Sequence, residues 1–277
     1  MNTPVWLITG GSSGLGASIA HAALRAGHRV AVTARDSSRL DALAADYPGA
    51  VLPLSMDLTS TTEIEAAVAA AEGWHGHINV LVNNAAVGYL ALIEEGQDEK
   101  VRKLFETNVF GAVAAIRAAL PGMRARGSGT IINISSTNGI VAMPSLGYYS
   151  ASKFALEALT EALTQEVAPL GIRVMSVQPG GMPTGIVSRN LRSPRIEGYD
   201  APAHAIMDLL ENDRDGALAP SDPHRIAQIL VGLVMAKTMP RQLILGPDSW
   251  EAITSKLIAQ RMEFDAWKDI AYSTVAL

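Results

Sequence analysis

Cysteine is absent from this 277-residue chain. That excludes a disulfide scaffold and any thiolate metal site, and no metal site of another kind is expected. Charge is sparse as well: Asp, Glu, Lys and Arg together make up 18% of the residues, with a net charge of −5. A chain without a basic surface is poorly suited to phosphate backbones, so nucleic acid is not an expected partner. Long hydrophobic runs are also missing. The most apolar late stretch, Ile226 to Met235, is about half of a roughly 20-residue membrane span. The N-terminal apolar run stops at Gly10 with no basic residue before it, which predicts no secretory leader and a cytoplasmic protein. Internal repeats and low-complexity tracts are absent too. Apolar residues, in contrast, make up 48%. That is enough to bury a sizeable core and to argue against disorder, at a length within reach of one α/β domain.

Short β-rich apolar runs alternate with helical patterns along the chain. Val5–Thr9, Arg29–Ala34, Val51–Ser55, Val80–Asn83, Thr130–Ser135, Arg173–Gln178 and Arg241–Leu245 read as strands. Between them, helices are expected over Gly14 to Ala26, Ser37 to Tyr47, Ser60 to Gly73, Gln97 towards Arg126 with Pro121 disturbing its end, and Leu146 to Ala168. Fully apolar strands alternating with helices predict a doubly wound parallel sheet of the Rossmann type. It should have about seven strands and helices on both faces. Residues 181–221 break the rhythm and are expected to form a substrate lid. Asp222-Pro223 reads as a helix start. Residues 249–277 read as a C-terminal helical extension of the same single domain.

"LITGGSSGLG", residues 7–16, admits three readings. Gly10-Gly11-Ser12-Ser13-Gly14 spells the G-x-S-x-G elbow of serine hydrolases, with Ser12 as nucleophile. The same glycines could simply make a tight strand-to-helix turn. They could also close on a pyrophosphate at the start of a helix whose free N–H groups and dipole favour anions. Position favours the last reading, because the loop follows the first strand and opens the first helix.

A second constellation lies in "SLGYYSASKFALEAL". Tyr149 and Lys153 stand four residues apart and share a helix face. A cation beside a phenol favours phenolate, so the spacing predicts a lowered Tyr149 pKa and a usable proton donor and acceptor. Tyr148 is the competitor, but the residue four positions on is the uncharged Ser152. Taken alone, such a pair is as compatible with an ordinary surface helix.

With Thr9 in front, Thr9 to Gly16 resembles the T-G-x-x-x-G-x-G loop of the short-chain dehydrogenase/reductase family, in its compact single-domain branch. Tyr149 and Lys153 resemble that family's Y-x-x-x-K. Asn83-Asn84-Ala85-Ala86 is similar to its N-N-A-G segment, with Ala86 in place of glycine. Pro179-Gly180 with Thr184 resembles P-G-x-x-x-T. The resemblance runs in unbroken order from Val5 to Thr184. It implies an oxidoreductase that interconverts a carbonyl and an alcohol by hydride transfer. By this resemblance the catalytic residues are Asn108, Ser136, Tyr149 and Lys153. Ser136 is chosen over Ser135 because the family's serine lies thirteen positions before the tyrosine. The cofactor residues it implies are Gly10, Ser12, Ser13, Gly14, Leu15 and Gly16 in the loop, then Arg35, Asp57, Leu58, Asn83 and Ala85, and finally Lys153, Pro179, Gly180 and Thr184.

In the family register the acid of NAD enzymes falls at Ala34, which carries no carboxylate, and the next residue is Arg35. A guanidinium there can hold the 2′-phosphate of NADP(H), with Arg39 adding charge, so NADP(H) is expected in preference to NAD(H). Asp36 keeps NAD(H) open. Apolar residues near the expected pocket (Val87, Tyr89, Ile140, Met143, Met182, Ile186 and Val187) predict an apolar or aromatic small-molecule carbonyl or alcohol as substrate. A homodimer or homotetramer is expected through the long helices near 97–126 and 146–168. A non-catalytic NADP-binding sensor of the same fold is the alternative. An epimerase or dehydratase fits less well, because those usually carry a longer substrate domain and another glycine spacing.

Overall fold

The computed structural model describes residues 3–183, 190–199, 204–213 and 218–275. Seven strands form one parallel sheet: β1 (Val5–Ile8), β2 (Arg29–Ala34), β3 (Val51–Ser55), β4 (Val80–Asn83), β6 (Gly129–Ile134), β7 (Ile172–Pro179) and β9 (Gln242–Leu245). Their order is β3-β2-β1-β4-β6-β7-β9, and every neighbouring pair runs parallel. The winding reverses between β1 and β4, and that reversal opens a crevice at the carboxyl ends of the strands.

Alternation along each strand divides the core into two layers. Trp6, Ile8, Val30, Val32 and Ile132 face one side, where they meet α1 (Gly14–Arg25) and α8 (Pro223–Met235). Leu7, Ala31, Leu81, Ile131 and Val174 face the other side. There they meet α3 (Thr61–His75), α5 (Gly111–Arg126) and α6 (Gly147–Val167). With apolar side chains on both faces, these strands are buried on both sides, as parallel sheets require.

Several expectations are corrected. The helix from residue 97 to 126 is not uniform: α4 (Asp98–Phe105) passes through a π turn, Glu106–Phe110, into α5. Pro121 does not disturb its end, because the helix continues to Arg126 and stops at Gly127, at φ +65°. Pro121 and Arg117 are both exposed, so the carbonyl freed by the missing N–H is open to water. Residues 37–40 form a 3₁₀ turn, and only Asp41–Asp46 is α-helical (α2). Residues 190–199 and 204–213 are not irregular throughout. Leu191–Arg192 (β8) pairs in parallel with Tyr89–Leu90 (β5), and Ala205–Asn212 forms α7. Two-residue strands carry no readable periodicity, which is why the sequence pattern missed them. The extension begins at Pro247, as α9 (Pro247–Ala266), and breaks at Trp267 before α10 (Lys268–Tyr272). Asp222 caps α8 as expected, its carboxylate accepting from the His224 N–H at 2.8 Å.

Candidate active site

The glycine loop is built by close packing. Gly10 and Gly14 take positive φ, +69° and +58°, where a side chain is strained. A Cβ on Gly11 would overlap the Val32 side chain, and one on Gly10 would lie 2.7 Å from the Ala85 Cβ. The loop is clamped from β4. The Asn84 amide donates to the carbonyls of Thr9 (2.9 Å) and Gly10 (3.1 Å). The Thr9 hydroxyl accepts from the backbone N–H groups of Asn84 (3.0 Å) and Ala85 (3.1 Å). Helix α1 starts at Gly14 with half-buried Ser12 and Ser13 ahead of it, and the Ser13 side chain does not cap it. A cradle with no room for a Cβ, at a helix N-terminus and at the sheet's reversal, fits a dinucleotide pyrophosphate.

Arg35 stands exposed directly after β2. The Asp36 carboxylate is engaged locally as a cap, accepting from the Ser38 N–H (3.1 Å) and hydroxyl (2.7 Å). The Ser38 hydroxyl bond, first of all, holds its pKa below the ordinary value. Asp57 follows β3, and the Thr59 N–H bond pulls its carboxyl down. Leu58 beside it is buried. Asn83 ends β4 and is also buried, its amide donating to Asn133 Oδ1 at 2.9 Å. Thr184, and the expected wall residues Ile186 and Val187, lie outside the described residues.

Ser136 leaves the end of β6 and accepts from the Asn138 N–H at 3.1 Å. Tyr149, in the first turn of α6, hydrogen-bonds to the Ser136 side chain. Lys153 lies one turn further on, buried, with Nζ 5.9 Å from the Tyr149 ring centroid and donating to the Ile134 carbonyl at 2.8 Å. Tyr148 is turned away, its hydroxyl donating to the Ile93 carbonyl at 2.7 Å. Asn108 is buried in the π turn, where its side chain bonds the backbone N–H and C=O of Val87, each at 2.9 Å, and donates to Ser152 Oγ at 3.1 Å. Ser152 in turn donates to the Tyr149 carbonyl at 2.7 Å. Asn108 thus ties the segment after β4 to the helix that carries the tyrosine and lysine.

The electrostatics differ from the expectation drawn from spacing. Burial raises the Tyr149 pKa above its ordinary value, and the Ser136 hydrogen bond only partly offsets this. Lys153 shifts the other way: burial pulls it from 10.5 to about 8, against an upward push from Glu157. Glu157 lies four residues beyond Lys153 and is buried. Its Oε1 accepts from the Ser176 hydroxyl (2.7 Å) and the Gln178 amide (2.9 Å).

Some parts of the site were not expected. Tyr89 is not a pocket wall but fully buried under residues 190–199, its hydroxyl accepting from the Gln97 N–H at 2.9 Å. The buried carboxylate of Glu95 accepts from the N–H groups of Leu92 and Ile196, each at 2.9 Å, and meets His204 Nε2 at 2.6 Å. Burial pushes its pKa up, but these three partners outweigh burial and leave it lowered. The extension braces the site from behind. Asp248 accepts from the Gly181 N–H at 2.7 Å. Ser249 donates to the Gln178 carbonyl at 3.0 Å and bonds the Thr137 hydroxyl at 2.8 Å. Lys256 donates to the Ile140 carbonyl at 2.6 Å. The only sequence signal for this brace was the Gly-Pro-Asp-Ser helix start at 246–249.

Residues 4–194 match the family model described as short chain dehydrogenase. A similar curated relative, the oxidoreductase BOA17 of Botryotinia fuckeliana, is 31% identical over 274 residues, covering 98% of this chain and 99% of its own. The crystal structure of a short-chain dehydrogenase from Streptomyces avermitilis matches with a TM-score of 0.92 at 36% identity, covering both chains fully. A metagenomic short-chain oxidoreductase in complex with NADP matches with a TM-score of 0.70 at 27% identity, covering 87% of this chain and 96% of that one. Among the described residues, no helix is long and apolar enough to cross a membrane.

Proposed function

The chain belongs to the short chain dehydrogenase family, and on that premise we propose that it is an NADP(H)-preferring oxidoreductase reducing an apolar or aromatic carbonyl, or oxidising the corresponding alcohol, within one domain. The observation that carries this reading is the Ser136–Tyr149 hydrogen bond, with buried Lys153 one turn away. It lies at the same end of the sheet as the glycine cradle.

When bound, the nicotinamide supplies or accepts hydride at the carbonyl carbon. Gly10 to Gly16 would hold its pyrophosphate, and Arg35 its 2′-phosphate. The capped state of Asp36 supports the phosphate reading, because its carboxylate is already committed to Ser38. Asp57, Leu58, Asn83 and Ala85 would contact the cofactor between its adenine and nicotinamide ends, and Pro179 and Gly180 would contact the nicotinamide end, a role that Thr184, outside the described residues, is expected to share.

Ser136 donates a hydrogen bond to the carbonyl oxygen as negative charge develops there. Tyr149 delivers the proton to that oxygen and recovers it through Lys153, whose ammonium sits at the buried end of the pair. A lysine brought to about 8 can give and regain a proton near neutral pH. Asn108 holds Val87 and Ser152 in register with the pair. Half-buried Val87, Ile140 and Met182 support an apolar substrate, with residues 190–199 and 204–213 as described parts of the lid.

The test is NADPH consumption over a panel of ketones and aldehydes, run beside Tyr149→Phe. Turnover should fall by about 10²-fold or more, in the range of general acid–base catalysis, while NADPH binding followed by fluorescence persists. Turnover near wild type in Tyr149→Phe removes the tyrosine from the acid role. NADPH binding with no turnover on any carbonyl favours the sensor instead.

A further inference from the structure

The first turn of α9 lies where three parts of the site meet. β7 ends at Pro179, and the next two residues are glycines. Gly180 donates its N–H to the Leu245 carbonyl of β9 at 2.8 Å. Gly181 is held through both of its backbone groups. Its N–H donates to Asp248 Oδ2 at 2.7 Å, and its carbonyl accepts from the Ser221 N–H at 3.1 Å. Gly181 and Ser221 are the two ends of the stretch expected as a lid, so Asp248 grips its neck. The packing leaves no slack: a Cβ on Gly180 would overlap both oxygens of the Asp248 carboxylate, and one on Gly181 would overlap the Leu218 carbonyl.

Ser249, the next residue, is fully buried and joins two walls of the crevice. Its hydroxyl donates to the Gln178 carbonyl at 3.0 Å and accepts from the Thr137 hydroxyl at 2.8 Å. Thr137 directly follows Ser136, the partner of Tyr149. The walls leave different strands, β6 and β7, and beyond the strand ends the sheet ladder no longer holds them.

Asp248 has a feature that a plain tether does not need. Its Oδ1 is buried without a hydrogen-bond partner among the described residues, as is the Ser221 hydroxyl. The two oxygens flank Gly246, where a Cβ would lie 2.7 Å from the first and 2.5 Å from the second. Stability alone favours a side chain that pairs both atoms, as an amide could. A carboxylate instead grips the Gly181 N–H harder, because a charge-assisted hydrogen bond is about twice as strong as a neutral one. Its place in the first turn of α9 suits the charge to the helix dipole.

We propose that Asp248 and Ser249 are positioning residues, which fix the spacing between the Gly180-Gly181 backbone and the Ser136–Tyr149 pair. The inference rests on the cofactor reading above, in which Gly180 meets the nicotinamide end and Ser136 the reacting oxygen. Group transfer between two bound partners requires reacting atoms about 3–3.5 Å apart, and a misplacement of about 1 Å can cost on the order of 10²-fold in rate. The extension sets that spacing from behind, touching neither partner itself.

The test separates the two ends of the cofactor. Binding of NADPH and of adenosine 2′,5′-bisphosphate, which lacks the nicotinamide, is measured by calorimetry on the full chain. Asp248→Ala should bind NADPH about 10-fold more weakly, the effect of one lost charge-assisted hydrogen bond, with the bisphosphate unchanged and Asp248→Asn in between. Ser249→Ala should bind both nucleotides as wild type does and lose about 10-fold in kcat. It should also show a larger primary isotope effect with NADPH deuterated at C4, because hydride transfer has slowed. Equal weakening of both nucleotides in Asp248→Ala means a loosened fold and overturns the proposal. NADPH affinity at the wild-type value in Asp248→Ala overturns it too, as does Asp248→Asn as weak as Asp248→Ala, or an unchanged kcat and isotope effect in Ser249→Ala. A wild-type chain that binds neither nucleotide takes down the cofactor reading and the inference together, whereas wild-type binding with no difference among the variants takes down the inference alone.

Discussion

Replacing Lys153 with methionine should stabilise the fold while abolishing turnover, and the stabilisation should vanish at high pH. Burial brings the ammonium from 10.5 to about 8. At about 1.4 kcal/mol per pH unit, holding that charge at pH 7 costs about 3 kcal/mol. Methionine keeps the volume of the stem and carries no charge. It also loses the bond to the Ile134 carbonyl, about 1 kcal/mol, and leaves Glu157 without its cation, a cost of similar size. The expected net gain at pH 7 is about 1 kcal/mol, or roughly 2–4 °C in Tm for a chain of this size. The sign of the pH dependence follows from linkage. Above pH 8 the folded lysine loses its proton, while the unfolded lysine stays charged up to 10.5. Wild-type stability therefore rises relative to the variant through that window. The difference in Tm should move by roughly 6–12 °C in favour of wild type between pH 7 and pH 10.5. The assay is calorimetry of both proteins across that range, at matched pH so that all other titrations cancel. A Tm difference that stays constant from pH 7 to pH 10.5 refutes the claim that Lys153 is charged and buried at a cost.

Arg35→Ser should raise the KM for NADPH about 10- to 100-fold, the equivalent of one charge-assisted hydrogen bond, and leave the KM for NADH unchanged; equal changes for both cofactors would remove Arg35 from phosphate recognition. Gly11→Ala places a methyl against Val32 and should cost about 1–3 kcal/mol. It should be read as a lowered Tm together with lost NADPH binding, and an unchanged Tm would mean the loop is not packed as described. Glu95→Gln weakens the hold on Ile196 and His204 and should raise substrate KM more than it lowers kcat, with faster proteolysis near residues 195–208. If proteolysis and KM both stay at wild-type values, Glu95 does not restrain the segment.

The doubly wound sheet was legible because its strands are apolar on both faces and its helices long enough to show their own period. Trp6, Leu7 and Ile8 point to opposite layers, yet all three are apolar, and that combination belongs to a covered parallel strand. The crevice was legible for the same reason: residues that follow strand ends, such as Gly10, Arg35, Asp57, Ser136 and Gly180, share one edge of the sheet wherever parallel strands finish together. What escaped the pattern depends on contacts between distant segments. Ser249 meets Thr137 across 112 positions, and Glu95 reaches His204 across 109. Both pairs involve residue types that serve equally well as surface polar groups.

The Tyr149–Lys153 pair shows where residue spacing stops being informative. A separation of four placed both side chains on one helix face, and the structure agrees. The expected drop in the tyrosine pKa assumed a fully charged lysine acting through a partly wet environment. Both groups are instead enclosed between α6 and the end of β6, where removing water penalises whichever form is charged. That penalty raises the phenol from 10.0 and lowers the ammonium from 10.5 to about 8, moving their proton affinities apart and making the lysine the stronger acid of the two. An ammonium that holds its proton less tightly than the phenolate does can return a proton to it downhill, which suits the proposed recovery of Tyr149 through Lys153. Glu157 then limits this separation. Its carboxylate, fixed by Ser176 and Gln178, pushes the lysine back up, so that the ammonium persists at neutral pH instead of losing its proton to burial.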